Sequence, residues 1–376
     1  MPTQALVNPE LLSWARHRAG LSLSALARKL NVKLERLTQW EQGDTKPTFK
    51  QAQNIAKYTH TPFGYLFLPK PPEEQLAIPD LRTIEGHDVD QPSPELRDII
   101  TQVLKKQTWY KDYLISNEFE PNQHVGSVSL QTPIATTVAS LREALGVGIP
   151  QRGTWEEYQR ELIDGAEKAG VLVMRSGIVG NNTHRKLQVT EFRGFAITDD
   201  FAPVVFINSS DAPAARLFTL IHELAHIWLG CSGISNLEPS NAAEERYCNQ
   251  VAGEFLVPEQ GLREIWSEPE TLPTNCAVAA TRFHVSKMVV ARRAADIMLI
   301  TRAEYSGFYR AELEAFRDKD GGGGDFYRSA GAKNSIRMSQ AVLSEARSGR
   351  LLLRDAGQLL GVSPSALGTY ASKLPQ

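Results

Sequence analysis

Apolar positions recur at helical spacing through the first 70 residues. Asn8 before Pro9 is typical of a helix start, and Ser22 is typical of a second one. Leucines and an alanine follow Ser22 on one face, and Gly43 is placed to end a third helix. Short helices are therefore predicted at 9–20, 23–30 and 33–42, with a fourth after Pro47.

The spacing of apolar residues in the middle of the chain predicts both helices and strands. Helices are predicted at 95–116, 133–146 and 154–169, and a strand is predicted within 171–179. Residues 194–197 and 203–208 predict a hairpin, and we expect 203–208 to offer its edge to an extended peptide. Asp211 is predicted to cap a long helix that ends at Gly230, followed by helices over 241–256 and 275–317. The fold class is mainly α with a small β-sheet (α+β).

Composition restricts the class of protein. The chain has 376 residues, 42% hydrophobic and 22% charged, which is typical of a globular protein of several domains. No apolar run is long enough for a bilayer, and the N-terminus starts no secretory signal pattern. Its three cysteines form no paired motif, so we expect reduced thiols and a cytoplasmic location.

Charge is distributed unevenly. Residues 1–70 hold ten Lys/Arg and four Asp/Glu, a net charge of +6, so the remainder carries −8 of the total of −2. A basic N-terminal region favours an anionic partner such as nucleic acid, with a solvated basic surface as the alternative.

The strongest chemical motif is His222-Glu223-Leu224-Ala225-His226. Histidines four residues apart project from one face of a helix about 40° apart, so their rings can share one ion. Glu223 lies beside that stripe and can reach a water molecule without binding the metal. Two ligands and a base are what a zinc hydrolase requires, with a third protein ligand from elsewhere.

The third ligand is sought on the next helix. Glu245 is the predicted ligand and Glu244 the alternative, while Asn249, on the same face as Glu245, is predicted to orient a histidine. Cys248 is a further candidate, assigned by helical phase to the opposite side from Glu245. For stabilising the oxyanion the candidates are Tyr247, Arg216 and His284, and the sequence does not choose among them.

These motifs resemble the ImmA/IrrE family of metallopeptidases. The resemblance is carried by 206–208, 218–226, 245–258 and 283–293, with Cys248 where alanine is usual and Val251 where phenylalanine is usual. It implies a zincin-like domain with one Zn²⁺ per chain, held by His222, His226 and Glu245, with Glu223 as the base. It also implies a protein substrate such as a repressor or antitoxin, cleaved in a stress response, or an antitoxin-like role with a toxin partner.

Residues 20–43 resemble the XRE-type helix-turn-helix of repressors. Leu26-Ala27, Val32 at the turn and Trp40-Glu41-Gln42-Gly43 carry the likeness. Its third helix would present Lys33, Arg36 and Gln39 to DNA. Leu23 stands where glutamine is common and Glu35 faces the DNA side, so a protein partner is the alternative.

The predicted domains follow from these assignments. They are a helix-turn-helix domain at 1–70, a linker and helical connector at 71–150, a metallopeptidase domain at 151–318, and a Gly-rich break with a helical module at 319–376. Residues 355–367 again have helix-turn-helix rhythm, which we interpret as packing, with partner binding as the alternative. Two other functions stay open: a transcriptional regulator or antitoxin whose metal site is regulatory or vestigial, and a scaffold that docks a toxin.

Overall fold

A computed structural model describes residues 3–72, 92–151, 153–235, 243–317 and 332–374. These residues form two compact units, one up to Thr101 and one from Gln102 onward. Residues 73–91 of the predicted linker and connector, and the glycines at 321–324 of the predicted break, lie outside the described residues. None of the helices in the described part is both long and apolar enough to cross a membrane. The predicted domain boundaries stay a prediction.

The first unit is helical. Asn8 caps its first helix and Ser22 its second, as predicted, because each side chain accepts a hydrogen bond from a backbone N–H of the first turn. Buried Leu12, Leu26 and Leu37 are among the residues of its core. The helices are α1 (Pro9–Arg18), α2 (Leu23–Leu30), α3 (Leu34–Gln42) and α4 (Phe49–Tyr58), followed by a 3₁₀ turn at Phe63–Phe67.

An ion pair fastens the first helix of this unit to the third. The Arg16 guanidinium donates two hydrogen bonds to the Glu41 carboxylate, at 2.7 and 2.8 Å. Both side chains are nearly buried, and the paired geometry satisfies two donors and two acceptors at once.

The second unit contains a four-stranded sheet with helices. Its strands are β1 (Leu172–Ser176), β2 (Gly194–Ile197), β3 (Val204–Asn208) and β4 (Gly233–Ser235), in the order β1-β3-β2-β4. The predicted hairpin of β2 and β3 is antiparallel, whereas β1 runs parallel to β3. The mainly helical fold with a small sheet agrees with the predicted class.

The prediction that the strand at 203–208 offers a free edge to a peptide is wrong. Strand β3 pairs on one side with β1 and on the other with β2, so its backbone groups have partners within the sheet. The outer strands of the described sheet are β1 and β4. Val204–Ile207 is apolar throughout and, together with Asn208, is buried at every position, which is typical of a central strand.

Eleven further helices of this unit are described. They are α6 (Ile134–Leu145), α7 (Trp155–Lys168), α8 (Pro213–Leu229), α9 (Ala243–Leu256), α10 (Glu259–Ile265), α11 (Leu272–Phe283), α12 (Lys287–Asp296), α13 (Arg302–Arg317), α14 (Ile336–Arg347), α15 (Leu353–Leu360) and α16 (Leu367–Ser372). Three of them, α7, α8 and α14, make the main helix contacts with the sheet. The division between the units falls within α5 (Pro94–Ser116), and a 3₁₀ turn at Pro364–Ala366 precedes α16.

Candidate metal centre

Helix α8 carries the HExxH motif across the sheet. It packs against β2, β3 and α9, and the apolar residues around the motif, including Leu220, Ile221 and Leu224, are fully buried. A helix that is apolar on nearly all sides belongs in a core. Gly230, in a left-handed conformation, ends it by donating its N–H to the carbonyls of His226 and Ile227.

The start of this helix differs from the prediction. Asp211 does not cap it: Ala212 takes the N-cap position, without a side-chain cap, and Pro213 begins the helix. The Asp211 carboxylate instead accepts a hydrogen bond from the Ala212 N–H and lies 3.4 Å from Arg193. Proline already has a helical φ and lacks the N–H that a cap would satisfy.

Two imidazoles and a carboxylate converge between α8 and α9. His222 Nε2 and His226 Nε2 lie 3.1 Å apart, and Glu245 places Oε2 3.2 Å from the first and Oε1 3.0 Å from the second. Two ligands bound to one tetrahedral zinc ion lie roughly 3.3 Å apart, from metal–ligand distances of about 2.0–2.1 Å. The spacing and the N, N, O donor set therefore fit zinc.

The protonation of two of the three groups in this cluster suits a cation. Burial lowers the pKa of His222, which favours the neutral ring that a metal requires. Burial opposes ionisation of Glu245, but hydrogen bonds from both histidines outweigh it and lower its pKa, so it is an anion. His226 differs from His222. Burial would lower the pKa of His226, but its contacts with Cys248 and Glu245 have the larger effect and raise that pKa.

Glu223, which the motif predicts to be the base, lies close enough to His226 for its charge to act on that ring. Its side chain is fully buried on the same helix turn as His222, which is 4% exposed. Glu244, the alternative third ligand, is exposed and outside the cluster, so the structure brings Glu245 to the histidines. Asn249, one turn after Glu245, interacts with the His222 ring.

The assignment of Cys248 to the opposite side of its helix is wrong. The Cys248 thiol is buried and interacts with His226. Residues three apart on a helix are separated by only about 60°, so Cys248 shares a face with Glu245. None of the three cysteines, all of which belong to the described part of the chain, forms a disulfide.

The three proposed oxyanion groups are engaged elsewhere. The Tyr247 hydroxyl lies 2.5 Å from the Thr137 hydroxyl and donates to the Thr132 carbonyl. Arg216 donates to the carbonyls of residues 209 and 211, and His284 forms the left-handed cap of α11. These contacts assign no oxyanion role to any of the three.

Sequence reasoning missed Gly194, the first residue of β2. A Cβ built at this position would lie 2.9 Å from Glu223 Oε1, 2.5 Å from Thr219 Cγ2 and 2.8 Å from the Phe206 carbonyl oxygen. Only a residue without a side chain lets β2 approach α8 so closely. A glycine opening a strand next to the motif was the available signal.

The predicted DNA-contact residues lie together on α3. Lys33, the N-cap of this helix, and Arg36 and Gln39 within it are all exposed. The buried Leu37 and Trp40 turn the opposite face of α3 into the core of the first unit. The three side chains therefore form one accessible polar face, which Glu35 shares.

Fold and site together define a helix-turn-helix unit joined in one chain to a metallopeptidase-type domain. Family models agree with this architecture: residues 166–295 match the IrrE N-terminal-like domain, a peptidase family, and residues 12–66 match a helix-turn-helix family. The chain thus contains an IrrE-like domain and an XRE-type helix-turn-helix. Residues 334–373 match a domain family of unknown function. No curated protein and no solved structure matches the chain.

Proposed function

We propose that this chain is a zinc-dependent endopeptidase that cleaves a regulatory protein of the repressor or antitoxin type. The observation that carries the proposal is the convergence of His222, His226 and Glu245 beside buried Glu223, within a segment that matches a peptidase family. The N-terminal helix-turn-helix would direct the enzyme to DNA or to a protein partner.

Each side chain has a distinct role in this proposal. His222, His226 and Glu245 hold the ion, and Asn249 orients the His222 ring. Zinc in this position supplies Lewis acidity, which polarises a peptide carbonyl and makes water more acidic. Glu223 accepts the proton of the attacking water and delivers it to the departing amine. The buried surroundings of Glu223 strengthen these interactions by excluding bulk solvent.

Metal content tests the site directly. We expect one zinc ion per purified chain by elemental analysis, and its loss in His222→Ala and in Glu245→Ala, because each removes one of three ligands. Glu244→Ala is the matched control and should keep its zinc, since Glu244 is exposed and outside the cluster. Intact protein that takes up no zinc when the ion is added would refute the metal site.

Cleavage is tested with Glu223→Gln. This change keeps the shape of the side chain but removes the base, so we expect loss of turnover by about 10²-fold or more with zinc retained. New protein N-termini can be compared in cells that express the wild type or the variant. A set of N-termini that is the same in both would argue against an endopeptidase.

A transcriptional regulator with a regulatory or vestigial metal site is the second candidate. It is favoured by the exposed face formed by Lys33, Arg36 and Gln39. If it holds, a phenotype of the deleted gene is restored by Glu223→Gln but not by Arg36→Ala. Under the peptidase proposal, Glu223→Gln does not restore the phenotype. A toxin partner and a cytoplasmic location stay predictions.

A further inference from the structure

The C-terminal module (residues 332–374) repeats the helix-turn-helix of the first unit. Helix α2 covers Leu23–Leu30 and α15 covers Leu353–Leu360, so the two helices have the same length and are separated by 330 positions. At the same separation, α3 (Leu34–Gln42) corresponds to the 3₁₀ turn and α16, which together span Pro364–Ser372. From the sequence, this second helix-turn-helix is predicted by rhythm alone, and its first interpretation is packing.

The turn between the two helices has the same backbone in both places. Asn31 ends α2 with φ 53°, and Gly361 ends α15 with φ 68°, both in the left-handed region. The N–H of Val32 donates to the Ala27 carbonyl at 3.1 Å, and the N–H of Val362 donates to the residue-357 carbonyl at 3.0 Å. The two turns therefore direct the following helix in the same way.

The residue that begins the second helix also matches. Lys33 has φ −66° and ψ 146°, and Ser363 has φ −67° and ψ 148°. Ala27 in the first helix-turn-helix and Gly357 in the second stand at equivalent positions. A Cβ on Gly357 would lie only 2.7 Å from the Val362 carbonyl oxygen, so the backbone of the turn lies close to α15 there.

Burial follows the same register. Leu37 and Leu367 are buried at equivalent positions of the second helix, and so are the aromatic residues Trp40 and Tyr370. These residues fix which face of the second helix turns inward. The exposed positions turn outward as a second recognition face, which we define by Ser363, Ser365, Gly368, Thr369 and Ser372. Ser363 and Thr369 are equivalent to Lys33 and Gln39, whereas half-buried Ala366 stands at the position of Arg36.

This second recognition face is exposed, and its side chains are small and uncharged. Ser365 stands where the first unit has Glu35, the acid that disfavours DNA there. Hydroxyls and a glycine allow a close approach to a duplex, and serine and threonine can hydrogen-bond to base edges or to phosphate.

The C-terminal module carries a net positive charge. Residues 332–374 hold six Lys/Arg and two Asp/Glu, a net charge of +4. Arg347, Arg350, Arg354 and Lys373 are exposed, and both acids of the module pair with arginines, Glu345 with Arg350 and Asp355 with Arg354. Because the recognition face itself carries no acid, the positive charge of the module favours a polyanion over an apolar surface.

The C-terminal module is fixed to the peptidase-type domain by hydrogen bonds. Glu167 on α7 accepts hydrogen bonds from the Ser335 hydroxyl at 2.8 Å and the Arg337 N–H at 3.0 Å. Lys333 donates to the Gly180 carbonyl, and Asn181 donates to the Gly361 carbonyl. These contacts hold the module in place while residues 363–373 keep their exposed face.

From the repeated backbone, the matched burial and the charge, we propose that residues 353–373 form a second helix-turn-helix that binds duplex DNA. The module then contributes phosphate contacts through its exposed arginines and Lys373, and groove contacts through Ser365 and Thr369. A chain with two such units has two DNA contacts, and each adds to the salt dependence of binding.

The test uses the full chain carrying Lys33→Ala and Arg36→Ala as parent, so that the first unit contributes little. The probe is a fluorescein-labelled, random-sequence DNA duplex of about 30 base pairs, titrated by anisotropy between about 50 and 200 mM salt. Adding Ser365→Glu and Thr369→Glu should weaken binding about tenfold or more, because two acids then face the phosphates. A second variant, Arg347→Ala with Lys373→Ala, should lower the salt slope by about 2.

The matched control is Thr281→Glu with Ser306→Glu, which adds the same charge at exposed helix positions far from the module in sequence. It should bind as the parent does. A parent that binds no duplex, or module variants that bind as tightly as the control, would overturn the proposal and leave this face to a protein partner. The variant with Arg347→Ala and Lys373→Ala introduces no acid and removes no buried group. It therefore separates loss of DNA contacts from loss of folding.

Discussion

Gly194 and Glu223 show how little space the candidate catalytic centre leaves. The carboxylate of Glu223 lies against the backbone of β2, and a single carbon at Gly194 would press on Oε1 and on the Phe206 carbonyl. A base must be held within a few tenths of an ångström to transfer a proton efficiently. The glycine is therefore a positioning residue for Glu223 in the proposed reaction.

Gly194→Ala should lower the rate of peptide cleavage by about tenfold or more, because the methyl group displaces Glu223. Zinc content should stay at the wild-type value, since the ligands come from other positions. Gly233→Ala on β4 is the matched control, because a Cβ there meets no atom within 4 Å. Equal activity of the two variants would show that Gly194 does not position the base.

At the scale of elements, one buried carboxylate joins three of them. Glu167 near the end of α7 accepts from the Val173 N–H of β1 through Oε1, and from Ser335 and Arg337 at the start of α14 through Oε2. Burial raises the pKa of Glu167, and the hydrogen bonds oppose that rise. Because β1 is an outer strand of the sheet, this contact fixes α14 next to a sheet edge.

Glu167→Ala should lower the free energy of unfolding by about 2–4 kcal/mol, since it leaves several buried donors without an acceptor. Glu161→Ala on the same helix is the control and should change stability by less than about 0.5 kcal/mol, because Glu161 is exposed. Urea denaturation of both variants measures the difference. Similar values would mean that α14 is held mainly by apolar packing.

Lys106 on α5 makes the attachment of the same module dependent on pH. Its ammonium group donates to the Lys333 carbonyl and to Asn334 Oδ1. Burial, assisted by the charge of Lys333, lowers the pKa of Lys106 from 10.5 to about 8. Between those pH values the unfolded chain binds a proton that the folded chain has released, so stability rises with pH through this window.

The stability difference between wild type and Lys106→Met should therefore shift in favour of wild type from pH 8 to 10.5, by at most about 3 kcal/mol. Lys105→Met is the control, because Lys105 is exposed and should show no such trend. Paired denaturation curves at several pH values give the comparison. A difference that does not vary with pH would show that Lys106 is solvated in the folded protein.

At the scale of the whole molecule, the candidate metal centre links function to stability. Its ligands come from α8 and α9, which are separated in sequence and come together only in the folded state. A ligand that binds the folded state alone stabilises it by mass action. The stabilised part is the unit from Gln102 onward, since all three ligands belong to it.

Zinc at about 100 times its Kd should add about 2.7 kcal/mol to the stability of that unit. Thermal unfolding followed with and without zinc should show the increase in wild type and in Glu244→Ala. It should be absent in His222→Ala. An equal increase in His222→Ala would place the zinc elsewhere.

The sequence by itself determined the helices of the first unit and the motif on α8. Caps, glycine stops and apolar spacing act within a few residues, so Asn8, Ser22 and Gly43 are placed correctly from local chemistry alone. The pairing of His222 with His226 also follows from helix geometry. The predicted position of Cys248 is wrong, because a residue three positions after Glu245 lies on the same face of the helix.

Tertiary structure decided what depends on residues far apart in the chain. Strand order made β3 central, although its apolar run is also compatible with an edge. Packing of α9 on α8 selected Glu245 over its neighbour Glu244, and the approach of β2 gave Gly194 its place against Glu223. The sequence rhythm at 355–367 does not show which face of the helices meets solvent. Only the structure allows the backbone, burial and exposed face of the second helix-turn-helix to be compared with those of the first.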